Sequence, residues 1–114
     1  MPAAIPPSRT LARRLRGARQ ARGMTQAELG AALGLQDENS AAPRISRYER
    51  GDRMPDEKTM EALASALGLP VAYFHASSDV LADLILLISA MPEKEQVGLL
   101  RKLRNREMEL KTRT

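Results

Sequence analysis

The sequence predicts an all-α fold built from a succession of short helices. Three observations carry the prediction. Helix starts recur: Thr25 stands three residues before Glu28, Asp56 precedes an apolar-periodic run, and Ser77, Ser78 and Asp79 precede another. Stops recur behind them, at Gly23, Gly34, Gly51 and Gly68 with Pro70. Between starts and stops, apolar residues return at the three- and four-residue spacing of an amphipathic helix. At 114 residues the chain has room for one compact domain, and at 43% hydrophobic it is too apolar to be disordered throughout.

Taken in order, residues 1–8 read as a flexible arm, with three prolines before Ser8 and no apolar period. Ser8 or Thr10 can cap a first helix that runs to about Arg22, with Leu11, Leu15 and Ala18 as its apolar stripe. Thr25 and Glu28 form a capping box for a second helix, residues 25–33, in which Leu29, Ala32 and Leu33 share a face. A polar interval follows, and Asn39 or Ser40 is a good cap for a third helix beginning near Ala41. That start keeps Pro43 within the first turn, where a missing N–H costs little. Ile45 and Tyr48 fall on one side of this helix, and Ser46, Arg47 and Arg50 on the other. Asp56 caps a fourth helix whose core face is Met60, Leu63, Ala64 and Leu67.

A dense apolar run follows at residues 80–91. Val80, Leu81, Leu84, Ile85, Leu87, Ile88 and Met91 are too many for one core-facing stripe, so a sixth helix over about 80–91 must be covered on two sides. One side can rest on the preceding domain and the other can meet a second subunit; a lid within the chain is the plainer alternative. Pro92 and Glu93 open a seventh helix with Val97, Leu100 and Leu103 on one face, and the charge-alternating tail from Glu107 should fray.

Two short helices joined by a turn, the second exposing Arg and Ser, follow the plan of a helix-turn-helix. The stretch RGMTQAELGAALGL followed by ISRYERGDRMP resembles the phage-repressor-type (Cro and C1-like, XRE) helix-turn-helix family, over about residues 11–74. Gln26, Leu29, Gly34, Ile45, Ser46, Glu49 and Gly51 anchor the resemblance. It implies a five-helix lambda-repressor-like DNA-binding domain, residues 9–76, closed by a short fifth helix at residues 71–74 with Tyr73 and Phe74 in its core. Residues 77–114 are then C-terminal helices for dimerisation or a lid. The resemblance further implies that Arg19 pairs with Glu49, that Gln26 meets a phosphate, that Arg53 meets another, and that Gly30 is small because two helices cross there. Physically, a planar guanidinium holds a carboxylate bidentately and would lock helix one to helix three. Donors at a helix start attract phosphate, and Thr25 and Gln26 sit at one. The family's turn has about four residues where this chain has QDENSAAPR, so an enlarged polar loop containing Asp37 and Glu38 is expected.

The positions that reach base edges first are then Ala42 and Pro43, which can only touch thymine methyls or fill space. Selectivity falls to Arg44, Ser46, Arg47 and Arg50, with Arg47 placed for a bidentate guanine contact. Arg13 and Lys58 add phosphate candidates. The net charge of +4 permits a polyanionic partner without requiring one. Its distribution is more telling, since Arg9, Arg13, Arg14, Arg16, Arg19 and Arg22 cluster in the first helix and Arg44, Arg47, Arg50 and Arg53 around the third. Either cluster alone is most simply a solvated face; two of them flanking a helix-turn-helix favour double-stranded DNA. Arg9 could enter a minor groove, although a terminus with no role is the simpler reading.

With no Cys and one His, disulfides, thiolate metal sites and His-based metal clusters are excluded, and no cofactor is expected. His75 reads as a surface residue, and its neighbours Ser77 and Asp79 are too close in sequence to build a catalytic triad, so no enzyme is expected. Aromatic content of 3% argues against RNA stacking, and Tyr48 reads as core. The apolar run at 80–88 is too short for a bilayer, and a cytoplasmic protein with no membrane partner is expected. The leading functional expectation is a transcriptional regulator that binds a palindromic operator as a homodimer through Leu81, Leu84, Ile85 and Ile88, with repression the simplest outcome. The alternative is an antitoxin-like protein-interaction module that autoregulates through the same fold.

Overall fold

The computed structural model describes residues 7–34 and 38–113, and all regular structure among them is helical. The order is α1 (Pro7–Ala21), α2 (Gln26–Ala31), α3 (Glu38–Glu49), α4 (Glu57–Leu67), α5 (Val71–His75), α6 (Asp79–Ser89) and α7 (Glu93–Thr112). The expected caps of α2 and α4 are present. Thr25 Oγ1 accepts from the Glu28 amide at 3.0 Å while the Thr25 amide donates to Glu28 Oε1 at 3.1 Å, and Asp56 Oδ1 accepts from the Thr59 amide at 2.8 Å. Ser78 caps α6 through the Leu81 amide. Gly68 closes α4 at φ 69°, a left-handed conformation that few side chains tolerate.

Helix α2 ends at Ala31 and α6 at Ser89, each about two residues short of expectation, and three other boundaries differ with more consequence. Helix α1 begins at Pro7, where a missing N–H costs nothing, so Ser8 and Thr10 lie inside it rather than at its cap. Helix α3 begins at Glu38, not near Ala41, so Asn39 and Ser40 are helical and not caps. Much of the extra sequence before Ile45 is therefore an added helical turn; Gln36 and Asp37 lie outside the described residues. Pro43 is then sixth in the helix, and the carbonyl of Asn39 loses its helical N–H partner. The turn is held from the other side, because Ala41 is buried at 1% exposure against α2. A Cβ on Gly30 would lie 2.6 Å from Ala41 Cβ and 2.9 Å from its Cα, so only glycine admits this crossing. Last, α7 continues through Thr112, where fraying was expected from Glu107; an i,i+4 ion pair between Glu107 and Lys111 at 2.8 Å supports that end.

The core belongs to α1–α5. Leu11, Leu15, Leu29, Ile45, Met60, Leu63, Leu67 and Phe74 are fully buried there, and Tyr48 joins them. Tyr73 is half-buried, edge-on to Phe74, and His75 is exposed. Helix α6 leans on α5 and buries only Ala82, and α7 buries no residue. Gln96 joins the last two helices, its Nε2 donating to the carbonyls of Ile88 at 2.8 Å and Met91 at 3.1 Å. Among the described residues no helix is long and apolar enough to cross a membrane.

Candidate nucleic-acid interface

Helix α3 has two dissimilar flanks. Ala41, Ile45 and Tyr48 face the core. Pro43, Arg44, Arg47 and, one residue past the helix, Arg50 are exposed, while Ala42 and Ser46 are half-buried. The segment expected to carry base contacts is thus helical, with its guanidinium flank in solvent. Two of the arginines are partly held. Arg44 Nε donates to Tyr48 Oη at 3.1 Å, and Arg50 Nε pairs with Asp52 Oδ2 at 3.1 Å.

The base of α3 is fixed by the ion pair between Arg19 and Glu49. Arg19 Nε and Nη2 donate to the two Glu49 oxygens at 2.6 and 2.9 Å, and Nη1 donates to the Met24 carbonyl at 2.8 Å. Both side chains are largely buried, and hydrogen bonding to Glu49 raises the Arg19 pKa further. Gln26 Nε2 also donates to Glu49 Oε1, at 3.3 Å, which leaves part of its amide for another partner. One connected set of hydrogen bonds therefore joins α1, the start of α2 and the end of α3.

The other expected phosphate residues are scattered around this centre. Thr25, Arg53 and Lys58 are exposed. Arg9, Arg13, Arg16, Gln20 and Arg50 line an open groove of about 570 Å³ between α1 and the end of α3. Arg13 turns partly away from it, its Nη2 donating to Asp79 Oδ1 at 2.8 Å.

Arg14 departs from the expected solvent-facing cluster, because it is 5% exposed. Its Nη1 donates to the carbonyls of Tyr73 at 3.1 Å and Ala76 at 2.6 Å, its Nη2 to Asp79 Oδ1 at 3.2 Å, and its guanidinium lies 5.8 Å from the Tyr73 ring centre. A legible signal existed, since Leu11, Arg14, Leu15 and Ala18 follow the i, i+3, i+4, i+7 spacing of one buried stripe.

A compact five-helix unit that buries one side of its third helix and presents arginines on the other is the architecture of a helix-turn-helix DNA-binding domain. Comparison with known families matches a helix-turn-helix family over residues 15–74. The chain belongs to that family, the phage-repressor-type or XRE helix-turn-helix proteins. Among solved structures it is similar to the transcriptional regulator BswR, at 37% identity and a TM-score of 0.74, with 82% of this chain and 92% of that chain covered. A comparison with curated proteins returned no match.

Proposed function

We propose that the protein is a sequence-specific transcriptional regulator that binds a palindromic operator as a homodimer, with repression by promoter occlusion its simplest action. The observation that carries this reading is the solvent-facing arginine flank of α3 on a helix whose other side is locked into the core. Arg44, Ser46, Arg47 and Arg50 read base edges, and Ala42 and Pro43 make apolar contacts at most. Thr25, Gln26, Arg53, Lys58 and Arg13 hold phosphates and give the affinity its salt dependence. Similarity to a transcriptional regulator over most of both chains supports the same reading.

The dimer has a separate support. Leu81 and Leu84 are 42% and 47% exposed on a helix that buries only Ala82, and Ile85 and Ile88 are half-buried beside them. Apolar surface left open in this way is the mark of an association face. One recognition helix spans a half-site, and a twofold pair reads a palindrome.

Selection of bound sequences from a random DNA pool tests the DNA reading. The wild type should enrich a palindrome, and Arg47→Ala should lose about 1–3 kcal/mol and relax preference at one base pair per half-site. Absence of enrichment in the wild type overturns the proposal. Light scattering tests the dimer: Leu84→Glu should yield monomers, and an unchanged mass removes α6 as the contact.

A further inference from the structure

We propose that Arg14 and Asp79 are positioning residues that set the angle between the C-terminal helices and the helix-turn-helix unit, and thereby the half-site spacing that the dimer accepts. The inference rests on the dimeric DNA reading above. Three elements meet at one guanidinium: Arg14 rises from α1, bonds the carbonyls of Tyr73 and Ala76 at and just beyond α5, and reaches the Asp79 carboxylate in the first turn of α6. Arg13 closes the clasp from outside on the same Asp79 oxygen.

The apolar packing of α6 is shallow: its one fully buried residue is Ala82, with Ile85, Leu86 and Ile88 half-buried, and α7 buries none. An alanine supplies area but no direction, because apolar burial is non-directional. Hydrogen bonds from a planar guanidinium have direction, and those at Arg14 link the two sides of the joint. With the dimer contact on α6, the lever runs from the clasp across the helix-turn-helix unit to α3. A compact unit of this size is about 25 Å across, so a turn of about 10° at the clasp moves its far side by about 4 Å. One base-pair step is about 3.4 Å, so this displacement exceeds one unit of operator spacing.

Asp79→Asn is the clean variant. It removes the carboxylate charge but leaves Arg14 its two carbonyl acceptors, so the buried guanidinium stays satisfied. Asp83→Asn is the control, because Asp83 lines the same cleft yet makes no ion pair among the described residues. In selections from a random pool, the wild type and Asp83→Asn should enrich paired half-sites at one spacing, favoured about tenfold over its neighbours. Asp79→Asn should enrich the same half-site with that preference reduced to about threefold. Retention of the single spacing overturns the proposal.

A second measurement is independent of DNA. The chain has no cysteine, so spin labels can be placed at Glu61→Cys on α4 and Arg104→Cys on α7, both exposed. Their distance distribution should be narrow in the wild type and broader with Asp79→Asn. An unchanged distribution overturns the clasp, whereas a broadened one with no paired half-sites in the wild type overturns the operator reading instead.

Discussion

Helices α1–α5 and helices α6–α7 use apolar residues in opposite ways. In the first region every large aliphatic side chain on a helical stripe finds the common core, and Leu15, Leu29, Ile45, Leu63 and Phe74 have no exposed surface. In the second, Val80 is 72% and Leu87 67% exposed, and Val97, Leu100, Leu103, Met108 and Leu110 line an α7 with no buried residue. Similar hydrophobicity thus serves folding in one region and is left over in the other. The lesson is that an apolar stripe announces a surface to be covered, and only the tertiary arrangement says whether the chain covers it itself.

The contrast can be broken or sharpened by substitution. Phe74→Ala should cost about 3–5 kcal/mol in denaturant unfolding, while Leu100→Ala should change the stability of the isolated subunit by less than about 0.5 kcal/mol. Equal losses would mean that α7 is packed as the first region is. Arg19→Ala comes next. It leaves Glu49 in its buried site with only Gln26 as a side-chain donor, and about 3 kcal/mol should be lost. An unperturbed midpoint would show that the pair is dispensable. Gly30→Ala should destabilise by about 1–3 kcal/mol even though alanine favours a helix, because the new methyl meets Ala41 backbone at 2.9 Å and not a yielding side-chain tip. A gain in stability would refute the close crossing.

The smallest effect is a dependence on acid. Hydrogen bonds from Arg13 and then Arg14 hold the Asp79 carboxyl below its ordinary range, and those from Thr59 do the same for Asp56. A depressed native pKa contributes stability that is whole above the unfolded value, near 3.9, and fades as pH falls through the native one. The melting temperature should therefore fall below about pH 4, and less steeply in an Asp56→Asn, Asp79→Asn double variant. Identical slopes would show that neither carboxylate contributes.

Much of the first region was legible because its signals are local or directional. The Thr25–Glu28 box and the Asp56 cap follow from residue type at fixed spacing, and the Arg19–Glu49 pair and the tight crossing at Gly30 follow from the family resemblance. Arg14 is harder to read, since an arginine in a basic helix looks solvated unless its place on the Leu11–Leu15–Ala18 stripe is weighed first. The start of α3 is obscured for a related reason. A missing donor favours proline in a first turn, whereas the burial of Ala41 against Gly30 holds an earlier turn in place. Exposure alone does not identify a partner, so the base- and phosphate-contact roles rest on the resemblance and on residue chemistry.

The bond between Arg44 and Tyr48 has a consequence for how a bound sequence is discriminated. Tyr48 is anchored in the core, so its hydroxyl restrains the Arg44 guanidinium before any ligand arrives. Side-chain freedom surrendered during folding need not be surrendered again on association. In the proposed complex, Arg44 would act as a stiff probe and Arg47, whose side chain makes no hydrogen bond or ion pair among the described residues, as a compliant one. Mismatches under the stiff probe should be tolerated least, giving each half-site one strict letter beside a more forgiving neighbour.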